Sequence, residues 1–386
     1  MAKMKIVHIC LAASYVEGFG YQENILTQLH VQMGHSVTVL TTDRTFNSKY
    51  ERTIRGNFDY VNEFGIHVKT LTRNTKYWIY RFGMFNGVYE ELDKVKPDII
   101  FIHGGQFYAL KNVIDYCKKN RNVKMYIDQH GDYYNMHVNT WKEKIVHHHI
   151  HGHWMRKAIP YTEKYWGVTP WRCQFLHEVY RIPENKIGLL VMGGDDRYIH
   201  FDKLPEIRND IRRSLNLADD DFVVITGGKI DKTKNIHLLI GAIRDIDFEQ
   251  VKLIVFGQPN DEMQDEIESL SEDKHIRYIG WLDSTKVYDY FMASDLAVFP
   301  GTHSVLWEQA CACGLPGLFK DWHGMHHVNV NGSAEFLKED SADEMKSKIT
   351  ELYQDKTKYM KMKNAAWEYA RNEFSYMEIA KRAIGL

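Results

Sequence analysis

The sequence predicts an α/β chain built from two doubly wound, Rossmann-like domains. Three observations carry that expectation. Short apolar runs alternate with segments of helical spacing in the first half. The same alternation restarts in the second half. Polar, glycine-containing stretches stand just after the apolar runs. At 386 residues the chain exceeds one ordinary core and calls for two domains. Hydrophobic residues at 44% and charged residues at 26% fit a globular chain in water, and a net charge of -2 argues against a general nucleic-acid binder.

In the first half, strands are expected at 6–11, 37–41, 99–102 and 123–127, with helices at 22–33, closed by Gly34, and at 109–119. The basic start Met1-Ala2-Lys3-Met4-Lys5 precedes an apolar run that His8 and Cys10 interrupt. It lacks a small-residue cleavage pattern and reads as a first buried strand rather than a leader. No run approaches the ~18 apolar residues of a membrane helix. In the second half, strands are expected at 222–226, 252–256, 276–279, 296–299 and 315–319, and helices at 237–246, 261–270, 285–293 and 307–313. The boundary is expected near Gly193-Gly194-Asp195, and the last segment is helical in pattern, which divides the chain into residues 1–193, 194–358 and 359–386. The five scattered cysteines form no Cys-x-x-Cys, so neither a disulfide framework nor a zinc knuckle is expected, and a reducing cytosol fits.

In open parallel sheets ligands bind beyond the carboxyl ends of the strands. The most informative stretch of that kind is Phe299-Pro300-Gly301-Thr302-His303-Ser304-Val305-Leu306-Trp307-Glu308. A helix opening near Ser304 would offer free backbone N–H groups to a phosphate. Glu308, one turn further, would accept hydrogen bonds from sugar hydroxyls. Phosphate plus hydroxyls describes a nucleotide-sugar; the competing reading is a plain strand–turn–helix with a surface Glu.

The segment Gly228-Lys229-Ile230-Asp231-Lys232-Thr233-Lys234-Asn235, with Phe256-Gly257, Ile279-Gly280, Ala293-Ser294-Asp295 and Glu308…Gly314-Leu315-Pro316, resembles the GT-B nucleotide-sugar glycosyltransferases, in particular retaining family 4. The resemblance spans nearly the whole chain. It implies two domains facing across a cleft, the first binding the acceptor and the second the donor. It implies that Gly228, Lys229, Lys234, His303, Ser304 and Glu308 serve the donor, with the two lysines stabilising the leaving diphosphate. It further implies that Gly18, Gly20, Tyr21, Gln22 and Glu23 form the loop against phosphate and acceptor, and that His130, in Asp128-Gln129-His130-Gly131-Asp132, contacts the transferred sugar. His103 is a weaker candidate for the same cleft. His130 and Glu308 are the expected catalytic residues. The last helical segment is expected to cross back to the first domain, burying Trp367, Tyr369, Phe374, Tyr376 and Ile379, while Gly193-Gly194 absorbs the rotation of domain closure.

The sequence departs from the family in three places. Lys229 stands for an Arg, Asn235 for a Gly, and Pro300 occupies the position eight before Glu308, where the family's first Glu is missing. His303 or Ser304 takes that space, and the stereochemical course stays open. The run His147-His148-His149-Ile150-His151-Gly152-His153 invites a metal reading, but adjacent helical residues point apart. No metal and no cofactor beyond the nucleotide-sugar is expected. Basic and aromatic residues mix at 73–82 and 141–172; they are either a face for an anionic membrane or lipid-linked acceptor, or core aromatics beside solvated cations. The expectation is a cytoplasmic transferase, peripheral at the inner membrane face. It acts on a glycan or lipid-linked hydroxyl in polysaccharide or glycoconjugate synthesis. The alternatives are a GT-B nucleotide-sugar epimerase and an inactive nucleotide-sugar-binding protein.

Overall fold

Strand-forming runs in the first half become Lys5–Cys10 (β1), Ser36–Thr42 (β2), Arg44–Phe46 (β3), Arg52–Ile54 (β4), Asp59–Val61 (β5), His67–Leu71 (β6), Ile99–His103 (β7), Lys124–Gln129 (β8), Thr162–Gly167 (β9) and Ile187–Leu189 (β10). This computed structural model describes residues 2–12, 14–46, 52–54, 56–73, 83–138, 140–269 and 273–386. Eight of the strands form one sheet in the order β10-β9-β8-β7-β1-β2-β6-β5, and β3 and β4 pair separately. All pairs in the eight-stranded sheet are parallel except β5–β6 at its edge. The central strands are apolar on both faces, as sheets covered by helices on both sides require.

The second half supplies Phe222–Ile230 (β11), Val251–Pro259 (β12), Ile276–Tyr278 (β13), Leu296–Phe299 (β14), Gly317–Lys320 (β15) and Ala334–Leu337 (β16). They form an all-parallel sheet in the order β13-β12-β11-β14-β15-β16. The chain divides into two compact units, Met1–Val191 with Ala380–Leu386, and Met192–Ile379. Each has its own apolar core. In each sheet the strand order reverses at one strand, β1 in the first and β11 in the second.

Four expectations need correction. The segment after residue 226, expected as a loop, continues β11 through Lys229 and Ile230, paired with an equally extended β12 in the register Gly228↔Gly257, Lys229↔Gln258 and Ile230↔Pro259. Two glycines permit it. Gly228 (φ +105°) and Gly257 (φ +120°) lie side by side, and a Cβ on Gly257 would stand 1.7 Å from the Gly228 carbonyl oxygen. Second, the helix expected near Ser304 begins at Leu306 and is seven residues long. Third, Trp367 and Tyr369 are exposed; Trp367 packs edge-on against Phe201 of the second unit. Phe374, Tyr376 and Ile379 are buried. Fourth, Gly193 and Gly194 are tightly packed. A Cβ would stand 2.2 Å from the Phe374 carbonyl oxygen at Gly193 and 2.5 Å from Ala312 Cβ at Gly194, and Gly194 exchanges backbone hydrogen bonds with Phe374 and Tyr376.

The Gly228–Gly257 contact makes a direct prediction. Gly257→Ala combines an unfavourable positive φ with a backbone collision, and should destabilise the second unit by on the order of 3 kcal/mol. A chemical-denaturation midpoint unchanged from wild type would contradict this account of the strand extension.

Candidate active site

In the second unit the carboxyl ends of β11 and β14 lie together at the strand reversal. The turn after β14 packs directly on the segment after β11: Thr302 N–H donates to the Thr233 carbonyl (3.1 Å), and a Cβ on Gly301 would meet Lys234 Cα at 2.4 Å. Lys234 Nζ donates to the Thr302 carbonyl at 2.7 Å and, more weakly, to the His303 carbonyl at 3.5 Å. Half-buried there, its ammonium is pulled below its usual pKa by desolvation. Asn235, in the left-handed region at φ +55°, donates to the Pro300 carbonyl (3.2 Å) and to Asp340 (2.7 Å). Its αL conformation accounts for the glycine that the resembling family carries here. Lys229 points to solvent and pairs with Asp231 at 3.1 Å.

Glu308 is no surface residue: it is fully buried. His303 Nε2 and His327 Nε2 both donate to its Oε1, at 2.8 and 3.0 Å. Burial pushes the carboxyl up, but the two imidazoles outweigh it, His303 foremost, and hold it well below the usual carboxylate range. Glu308 Oε2 and His327 Nδ1 have no hydrogen-bond partner among the described residues. His303 also packs edge-on against Trp307, which is buried and stacked on Phe319. The pattern thus brings Gly228, Lys234, His303, Ser304 and Glu308 to one strand-end cluster, but the carboxylate meets two histidines where sugar hydroxyls were expected.

In the first unit a second buried carboxylate sits at the end of β8. Asp128 Oδ2 lies 2.9 Å from His103 Nδ1 and accepts from His130 Nε2 (3.2 Å), and Asp128 Oδ1 accepts from Gly104 N–H (2.9 Å). Burial raises the Asp128 carboxyl, and His130 and His103 together bring it well below its usual range. For His130, burial works downward, but Asp128 overcomes it and the net shift is upward. Arg172 fixes this loop, donating from Nε to the His130 carbonyl (2.7 Å) and pairing with Asp132 (3.0 Å). Behind His103 the contacts continue: His103 Nε2 meets His8 Nδ1 (2.9 Å), His8 Nε2 meets His30 Nδ1 (3.0 Å), and His30 Nε2 donates to the Ala380 carbonyl (2.9 Å). Burial drives the His8 pKa well down and that of His30 to about 4.

The loop before the first helix has two distinct glycines. Gly18, at φ +80°, needs to be glycine; Gly20 faces open space. Tyr21 precedes the helix Gln22–Gln32, whose first turn contains Glu23. Gln22 is buried, with neither amide atom partnered among the described residues.

Sequence reasoning missed His8, His30 and His327 and gave Asp128 no role of its own. The interruption of an apolar strand by His8 was the one visible signal. The histidine run lies on a π-helical turn, Val146–His151, and passes into the helix Gly152–Ala158. Buried His147 contacts the Tyr180 hydroxyl (2.9 Å), while His148 and His149 line a surface cavity with Trp141, Lys144, Arg156 and Arg181. Of the basic-aromatic stretch at 73–82, residues 74–82 lie outside the described residues.

Residues 207–369, all within the second unit, match the family model for glycosyl transferases group 1. A 165-residue stretch is 22% identical to an uncharacterized glycosyltransferase of Methanocaldococcus jannaschii, covering 40% of this chain and 42% of that protein. The chain thus matches less than half the length of this curated relative. Among solved structures, a glycosyltransferase from Rickettsia africae superposes with a TM-score of 0.70 at 15% identity, covering 100% of this chain and 98% of the other. Anabaena HepE, solved with UDP, gives 0.64 at 16% identity over 98% of each chain. A UDP-N-acetylglucosamine 2-epimerase from Neisseria meningitidis, solved with UDP-GlcNAc, gives 0.60 at 14% identity over 99% of each. At such identities the likeness is one of fold: two Rossmann-like units, each built on a largely parallel sheet.

Two outcomes follow from these clusters. Glu308→Gln leaves the His303 and His327 imidazoles without their buried anion, so it should cost on the order of 3 kcal/mol, as breaking a buried pair does; a melting curve superimposable on wild type would contradict the ionic cluster. The second concerns pH. The folded pKa of His30 is about 4 against 6.5 in the unfolded chain, so the unfolded state binds the extra proton between those values. This stability is whole above pH 6.5 and lost as pH falls toward 4, about 3 kcal/mol in all. His30→Gln should flatten that slope in equilibrium unfolding of the first unit; a slope equal to wild type would contradict a buried neutral His30.

Proposed function

We propose that the protein is a glycosyltransferase that moves a sugar from a nucleoside diphosphate sugar to a hydroxyl of a glycan or lipid-linked acceptor, with retention of configuration and without a metal. Cell-surface polysaccharide or glycoconjugate synthesis at the inner membrane face is the setting. The observation that carries this reading is the cluster at the ends of β11 and β14, where Lys234, His303 and the buried Glu308 converge. Lys234 and Lys229 stabilise the departing diphosphate. Glu308 acts on the donor through His303, which it orients by accepting the Nε2 proton in a hydrogen bond. In the first unit His130, fixed by Asp128 and Arg172, contacts the transferred sugar, while the loop Gly18, Gly20, Tyr21, Gln22 and Glu23 receives phosphate and acceptor.

Peripheral membrane contact is supported by exposed Trp141, Ile145 and Tyr134 beside Lys142 and Lys144. No described helix is long and apolar enough to cross a membrane.

The test begins with a thermal-shift screen of UDP-, GDP-, ADP- and CDP-sugars, in which a ligand at ~100 times its dissociation constant adds about 2.7 kcal/mol. With the best donor, Lys234→Ala should lose on the order of 1.5–3 kcal/mol of binding, a charged hydrogen bond's share. Unchanged affinity in that variant would remove the diphosphate from this site. Conversion of the donor with no acceptor present would replace transfer by epimerisation, the reading that the epimerase-like fold favours. Donor binding with neither transfer nor slow hydrolysis would mark a binding protein.

A further inference from the structure

We propose that His103, Asp128 and His130 form a binding site for a divalent transition metal of the zinc type, open to solvent on the His130 side. The three donor atoms lie within 4.8 Å of one another, and among the described residues no other group of three metal-ligating side chains converges in this way. Asp128 is fully buried and His103 nearly so, whereas the His130 side chain is 39% exposed. Two imidazoles and a carboxylate with one free direction are the donor set of an open, four-coordinate zinc site. Tetrahedral zinc at its usual bond lengths holds its ligand atoms roughly 3.3 Å apart. The His103–Asp128 and Asp128–His130 separations are 2.9 and 3.2 Å, so an ion enters with a small spreading of the ligands. The imidazoles favour zinc, cobalt or nickel over magnesium or calcium.

A count of protons gives an independent reason. From Asp128 the buried contacts run through His103, His8 and His30 to the Ala380 carbonyl, four hydrogen bonds in all. Both ends of this series are acceptors, so four protons are needed. Three neutral imidazoles supply three. The carbonyl fixes the direction: His30 donates to Ala380, His8 to His30, and His103 to His8 through Nε2. The lone pair of His103 Nδ1 is then left facing the Asp128 carboxylate. Either a fourth proton or a metal cation must lie between them. With a cation there, three protons serve the three remaining hydrogen bonds, from His103 to His8, from His8 to His30 and from His30 to the Ala380 carbonyl. His8 and His30 become the outer partners that orient a metal-binding imidazole.

The surroundings hold the ligands in place. Gly104 N–H fixes Asp128 Oδ1, and the His130 carbonyl accepts from Arg172 Nε and Asn135 Nδ2 (3.2 Å). Arg172 is the cation that opposes a metal here, and its guanidinium is paired with Asp132. All three ligands belong to the first unit, and the site shares His130 with the transferase reading. Where that reading holds, a bound ion occupies the His130 nitrogen and inhibits transfer.

The experiment uses full-length protein stripped with a chelator and titrated with Co2+ and Zn2+ in the absence of any sugar nucleotide. The expected result is one ion per chain, with the visible absorption bands of four- or five-coordinate cobalt, displaced by zinc. His130→Ala should weaken binding by about 100-fold or more and remove the bands; His8→Gln should weaken it by about 10-fold, as loss of an outer partner does. The double variant His148→Ala/His149→Ala, altering the surface cavity, should bind as wild type. Absence of stoichiometric binding overturns the proposal, as does binding that survives His130→Ala or disappears in the double variant. If His8→Gln does not fold, the half-exposed His130 variant decides. Because binding is read without substrate, its failure and the failure of the transferase reading are distinguishable.

Discussion

A carboxylate sealed inside each unit is the constraint around which the strand ends of that unit are arranged. Asp128 and Glu308 are both fully buried. A charge in that position is tolerated only when partners replace its lost hydration. In both cases the partners are two imidazoles: His103 and His130 for Asp128, His303 and His327 for Glu308. Each carboxylate therefore ties together separate parts of its unit with one ion. The turn after β14 and the segment at 326–328 are held to one oxygen of Glu308. The ends of β7 and β8 are held to Asp128. The strand ends that carry the candidate residues are thus pinned by buried charge as well as by close packing such as that of Gly301 on Lys234.

The backbone of the second sheet serves the same end. The β11–β12 pair runs past the point where its apolar pattern stops, because Gly228 and Gly257 allow the chains to touch. That extension carries Lys229 outward and lets the segment that follows, through Lys234, fold onto the turn after β14. Further from the site, Asp295 receives Arg208 and Arg212, both at 2.6 Å, and the Val223 N–H at 2.8 Å. The Ala293-Ser294-Asp295 motif therefore anchors the helix Leu204–Ser214 to the start of β11 and β14. Its part in the resemblance is architectural: it fixes the strands whose far ends carry the candidate site.

The fold was legible in the sequence because buried parallel strands are short apolar runs with polar breaks, and most such runs were found within a residue or two. What was missed shares a physical cause. β6, β9 and β16 carry polar residues such as Lys69, Lys164 and Glu335, so their pattern is diluted. The extension of β11 is not legible in the sequence because glycine and lysine do not signal a strand. At the site, Lys234, His303 and Glu308 were legible as a pattern, but the burial of Glu308 was not. Its environment is set by His327, nineteen residues away, which no local spacing indicates. His8 and His30 were hidden for a related reason: a histidine inside an apolar run looks like a core residue, and only the three-dimensional contacts show that these imidazoles form one series.

That series also links the end of the chain to the first unit's site. His30 Nε2 donates to the Ala380 carbonyl, and Trp166 Nε1 donates to the Ala383 carbonyl at 3.2 Å. The residues Ala380–Leu386 thereby complete the unit that the N-terminal half begins. The Ala380 carbonyl can only accept, so it sets the tautomer of His30, which sets that of His8, which sets that of His103. Without that carbonyl the series could run in either direction, and His103 would have no fixed nitrogen to turn toward Asp128. The last turn of the chain therefore orders protons at a site three side chains away, by hydrogen-bond direction alone and with no contact of its own.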